Sequence, residues 1–233
     1  MLKNKTAQLV FQTIYCTVGV IGVFDSLYFF DMAFFGEFYI YFTNWSNYLC
    51  LIIMFIELIN TIKTTEECCV EPVYLLKFIG MIGIVITFFC YNFPDPTRNP
   101  ACHFTLKSIA FHIVLPIMYT IDWFLFYKKR EIKLTYPIYA AVLPTSYVTF
   151  MFVRAWILNF DSKENNLYPY FFLNIENLGF TGAFSLCILF TLCYIIVGVV
   201  FIRLDKLIRS KECASVTCDP AKPLVGDKHE NKL

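Results

Sequence analysis

An all-α membrane protein, a polytopic bundle of six transmembrane helices with both termini cytoplasmic, is the fold class this sequence predicts. Three observations predict it. Of the 233 residues, 58% are hydrophobic and only 16% are charged, with a mean hydropathy of +0.60; soluble domains carry about 25% charged residues. The apolar residues fall in long blocks, each close to the ~20 residues a helix needs to cross a bilayer, rather than in narrow amphipathic stripes. Lys and Arg gather on alternate connections, as the positive-inside rule requires of a multi-pass chain.

The first block covers about 8–30 and follows Lys3 and Lys5. Its apolar run is too long for a signal peptide and has no small-residue cleavage site, so it is expected to be retained. The others cover about 39–62, 73–93, 106–126, 134–158 and 180–204, each long enough for a tilted span. With the N-terminus inside, the inner segments hold Lys3, Lys5, Lys63, Lys128, Lys129, Arg130, Lys133, Arg203, Lys206, Arg209 and Lys211. The outer ones hold Arg98, Lys107 and Lys163, with Arg154 at the outer end of the fifth span. Residues 1–210 are then the transmembrane domain. The polar tail 211–233 has no apolar periodicity and is expected to be disordered.

Between the spans, 92–103 carries three prolines and reads as a rigid turn. The longer segment 160–179 contains YPYFFLNIENLG, whose aromatics suit either an interfacial belt or a lid folded back on the bundle. Cys16, Cys50, Cys90, Cys187 and Cys193 lie inside apolar blocks, where cysteine acts as a small hydrophobe. Cys68 and Cys69 border a span in a position that suits palmitoylation. No zinc-ligand spacing is present, and the basic residues form no patch for nucleic acid.

Chemistry is expected at the outer half. Thr43 lies ~6 Å along the second span and His112 ~9 Å along the fourth, both entered from outside, at 1.5 Å per residue. Thr43, Ser46, Asn47 and Cys50 share one helical face, as do His112, Pro116, Tyr119 and Trp123. Lipid cannot satisfy such groups, so the two faces should meet inside the bundle. An imidazole can take a proton from a hydroxyl and make it a nucleophile. Asn47, Asn44 or a tyrosine hydroxyl such as that of Tyr119 could then bind substrate or steady an oxyanion. Asp25 is placed near that level as a group to orient the imidazole. The same residues also suit plain helix–helix hydrogen bonding, worth about 0.6–2 kcal/mol per contact.

Elsewhere the expectations are plainer. Glu57 is placed near the inner end of its span, against solvent or Lys63, and Asp122 and Trp123 are placed as anchors at the inner surface. The third and sixth spans read as almost wholly apolar, which argues against a transporter.

YFTNWSNYL in the second span, HIVLPIMYTIDW in the fourth, TYPIYA opening the fifth and YPYFFLNIENLG before the sixth occur in this order. Together, over about 35–205, they resemble the androgen-induced six-helix membrane proteins and their Rolling stone-like and uncharacterised bacterial relatives. In one branch of that family an intramembrane threonine and histidine hydrolyse fatty-acid esters of hydroxy fatty acids. The resemblance matches that pair to Thr43, in Tyr41-Phe42-Thr43, and His112, before Val114-Leu115-Pro116. It implies a threonine-type hydrolase acting on lipid esters within a membrane, with no metal or organic cofactor and membrane lipids as its surroundings. The Asn44-Trp45-Ser46-Asn47 stretch is closer to the bacterial and Rolling stone-like branches, and the latter imply a non-enzymatic structural or cell-surface role instead. Neither reading chooses between plasma membrane and endomembrane.

Overall fold

The computed structural model describes residues 4–26, 39–63, 71–92, 106–126, 132–159 and 168–217, and among these the regular elements are all helical. Three helices lead: α1 (Lys5–Ser26), α2 (Phe42–Lys63) and α3 (Glu71–Asn92). Next comes α4 (106–125), assembled from Leu106–Ile109, a widened π turn over Ala110–Val114, and Leu115–Leu125. The run α5 (136–159) is Tyr136–Ala140 and Val142–Asn159, joined at Ala141. A 3-10 turn at Phe171–Leu173 leads into α6 (Ile175–Thr217), which breaks at Gly179. There φ is +67° and ψ 163°, a backbone region open essentially to glycine alone.

Five of these helices are long and apolar enough to cross a membrane: α1, α2, α3, α5 and α6. In the fourth block the long apolar piece is Ala110–Leu125, shorter than the span expected there. Within that piece the chain widens into the π turn just before Pro116, which has no N–H to continue an α-helix. At the C-terminal end the helix continues to Thr217, past the expected boundary at 210. The expectations for Cys68 and Cys69, for the proline-rich turn after Asn92, for the basic run 128–130 and for the tail beyond Thr217 lie outside the described residues.

The helix α3 is the axis of the bundle. It is 56% buried over its most apolar stretch, against 28–39% for the other long helices, and it packs against α2, α4, α5 and α6. On its other side α2 packs against α1, which also reaches α4. Two glycines let α1 come close. A Cβ at Gly19 would lie 2.5 Å from Leu51, and one at Gly22 would lie 2.4 Å from Phe111. Small residues at helix contacts are how membrane bundles gain packing when lipid offers no hydrophobic drive. The outward surface carries Ile138, Trp156, Phe180 and Leu189, all exposed, the coat of a membrane-embedded protein.

Three expectations for the half expected to face the cytoplasm are corrected here. Trp123 and Asp122 are fully buried instead of anchoring at an interface, and Glu57 is 6% exposed instead of meeting solvent. Trp123 lies with its ring 5.4 Å from that of Tyr74 and 5.5 Å from that of Phe201, and its indole N–H donates to Asp205 Oδ1 at 3.2 Å. A buried tryptophan needs such an acceptor, and here it joins α4 to α6. The third and sixth helices are not wholly apolar in effect, because each sends one charged side chain inward: Lys77 and Asp205, both at 0% exposure.

Candidate functional site

The level that carries Thr43 and His112 is built on the break in α4. In the π turn the Leu115 N–H is donated to the Ala110 oxygen, so Phe111 loses its ordinary helical donor. His112 loses its own because the residue four places on is Pro116. Each freed carbonyl takes an asparagine from a neighbouring helix. Asn47 Nδ2 donates to Phe111 O at 3.1 Å and Asn92 Nδ2 donates to His112 O at 2.9 Å. One proline thus creates two acceptors inside the bundle, and α2 and α3 are stitched to α4 by filling them. Truncating either amide leaves a carbonyl unsatisfied, at a cost of about 1–3 kcal/mol. Asn92→Leu and Asn47→Leu should each lower thermal stability in detergent by that order.

These stitches put the first turns of α2 and α4 and the last turn of α3 at one level. His112 is 7% exposed, and its ring stacks on Tyr91 with centroids 3.5 Å apart and planes 13° from parallel. Its Nδ1 lies 3.0 Å from the Ser108 carbonyl. A carbonyl only accepts, so Nδ1 carries the hydrogen and the lone pair of the neutral ring falls on Nε2. That is the tautomer a general base needs.

Thr43 is half-buried one turn before Asn47, and Asn47 Nδ2 also donates to the Thr43 carbonyl at 2.8 Å. Both hydrogens of the Asn47 amide are therefore committed to backbone, and the residue expected as an oxyanion contact acts as a clamp. Tyr170 comes down onto Thr43 instead. Its phenol is within hydrogen-bonding reach of the Thr43 hydroxyl and of the backbone at Phe42 and Thr43. Its ring stacks on Phe172 and meets Tyr41 and Tyr147 edge-on. This part of YPYFF packs over the start of α2, while Phe171 is exposed. Burial pushes the Tyr170 phenol up to about 12, so it keeps its proton as a donor throughout the neutral range. Asn44 is buried in the same turn of α2, at 2% exposure. Asp25 is half-buried near the end of α1, three residues beyond the Gly22 contact with Phe111.

Tyr119 belongs elsewhere. Its hydroxyl points at the Lys77 carbonyl, 3.5 Å away, and the Lys77 ammonium sits 5.5 Å over its ring. It is part of a second polar cluster, deeper in the bundle, which sequence reasoning missed. There the Lys77 ammonium from α3 bonds both the Glu57 carboxyl from α2 and the Asp122 carboxyl from α4. Lys77 and Asp122 are fully buried and Glu57 nearly so. A signal for this was present. Glu57 stands seven residues after Cys50 and Asp122 three after Tyr119, which continues the two polar faces already recognised.

No protein-family model, curated protein or solved structure matches this chain.

Proposed function

We propose that this chain is a six-crossing integral membrane hydrolase of lipid esters, with both ends in the cytoplasm, in which Thr43 attacks the ester carbonyl. The observation that carries the reading is the bond from Asn47 to the Phe111 carbonyl, which ties the turn after Thr43 to the turn that holds His112. His112 Nε2, left basic by the Nδ1 contact with Ser108, takes the threonine proton and returns it to the leaving alkoxide. Water then repeats the sequence on the acyl-threonine. The step requires about 2.6–3.2 Å between the threonine oxygen and Nε2 when the ester is bound.

The Tyr170 phenol takes over the oxyanion role first given to Asn47, since it reaches Thr43 with its proton in place. Removing one such donor ordinarily costs about 100- to 1,000-fold in kcat, and Tyr170→Phe should show a loss of that order with little change in KM. No metal or cofactor takes part. The lid and the lipid-facing flanks suit a substrate with two acyl arms, such as a fatty-acid ester of a hydroxy fatty acid, entering from the bilayer.

The test is hydrolysis of a panel of lipid esters by the purified protein, together with labelling by a fluorophosphonate probe. The expected result is turnover of at least one two-armed ester and a probe adduct mapped to Thr43. No turnover and no adduct at Thr43 would overturn the reading and leave a structural role of the Rolling stone-like kind.

A further inference from the structure

The cluster around Lys77 has more negative groups than its single cation can balance. Glu57 and Asp122 both bond the same ammonium, and the far oxygens, Glu57 Oε1 and Asp122 Oδ1, are buried without a hydrogen-bond partner. If both carboxyls were ionised, one net negative charge would be enclosed in the bundle. An uncompensated charge at that depth is among the most costly features a membrane protein can hold. Among the described residues, the other titratable groups facing the pair offer no second cation. They are Tyr15 and Cys16 from α1, Cys50 from α2 and Tyr119 from α4, with Asp205 of α6 beyond Trp123. The two carboxyls also come within hydrogen-bond reach of each other, a contact that is favourable only when one of them is an acid.

We propose that Glu57 and Asp122 share one exchangeable proton beside Lys77, so that this cluster is a proton-binding site at membrane depth. Uptake converts one carboxylate and a hydronium ion into a carboxylic acid and water, and release reverses it. Polar side chains of α1 and α2 lie beside the turn that carries Glu57. Thr61 Oγ1 donates to the Glu57 carbonyl at 2.9 Å, and Gln8 Nε2 donates to Thr61 Oγ1 at 3.5 Å, both part-buried. Gln12, one helical turn above Gln8, is 1% exposed with an unpartnered Oε1.

The site is independent of the hydrolase reading, and its test is spectroscopic. Infrared spectra of the full chain in lipid nanodiscs at neutral pH should show a carboxylic-acid C=O band that moves to lower frequency after transfer into D2O. Glu57→Gln and Asp122→Asn should each abolish it, because the remaining carboxylate then pairs one to one with Lys77. Asp205→Asn should leave it unchanged. Lys77→Met should roughly double it, provided the variant still folds; the two carboxyl variants, which remove the excess charge, do not depend on that. Absence of the band in the wild type, a band that does not respond to D2O, or one that survives in both single variants would each overturn the proposal.

Discussion

Replacing Lys77 by methionine should destabilise the bundle by about 3–5 kcal/mol, the range seen when one partner of a buried ion pair is removed. The ammonium is fully buried and holds carboxyls from two other helices. Methionine fills a similar volume, so the loss would come from stranded carboxyls and not from a cavity. The combined variant Lys77→Met, Glu57→Gln, Asp122→Asn separates the two causes. A buried ion cluster exchanged for neutral groups is often no less stable than the original, so this variant should recover most of the loss. Lys133 and Glu71 form the same kind of pair on the surface, where such pairs contribute little. Lys133→Met should therefore leave the unfolding curve unmoved. Denaturant unfolding in detergent measures all three, and a Lys77→Met protein as stable as the wild type would mean that the cluster is open to water.

The helical fold was legible in the sequence because lipid imposes a simple rule: apolar blocks of sufficient length must be helices. The polar level around Asn47 was legible too, through the i, i+3, i+4 spacing from Thr43 to Asn47. Two things were hidden. A lysine in the most buried of the long helices gives no local sign of its partners, since Glu57 and Asp122 come from helices 20 and 45 residues away. Placing those carboxyls near the span ends also assigned them to the surface, although continuation of the Cys50 and Tyr119 faces would have turned them inward. The second hidden feature was the role of Pro116. A proline inside a helix is ordinarily taken as a bend, but here the missing N–H creates acceptors, and Asn47 and Asn92 are the donors that fill them.

Thr43→Ala and His112→Ala should each abolish ester hydrolysis while the protein stays folded. A general base ordinarily contributes about 100- to 10,000-fold, and loss of a nucleophile that acts as a unit with its base costs up to about a million-fold. If the two act as one unit, as the proposed mechanism requires, the double variant should be no slower than the worse single one; multiplied losses would mean that they act separately. Conservative changes distinguish chemistry from packing. Thr43→Ser retains the hydroxyl and should keep measurable turnover, whereas Thr43→Val retains the shape and should have none. If Thr43 served only to seat Tyr170 and the lid, valine and alanine would instead lower stability and leave kcat unchanged. His112 makes a parallel case. Its stacking on Tyr91 and its contact with Ser108 hold the ring in place, so glutamine there would lose the base while keeping a hydrogen-bonding side chain of moderate size. Full activity in His112→Gln would remove the imidazole from the mechanism, and full activity in Thr43→Val would remove the nucleophile.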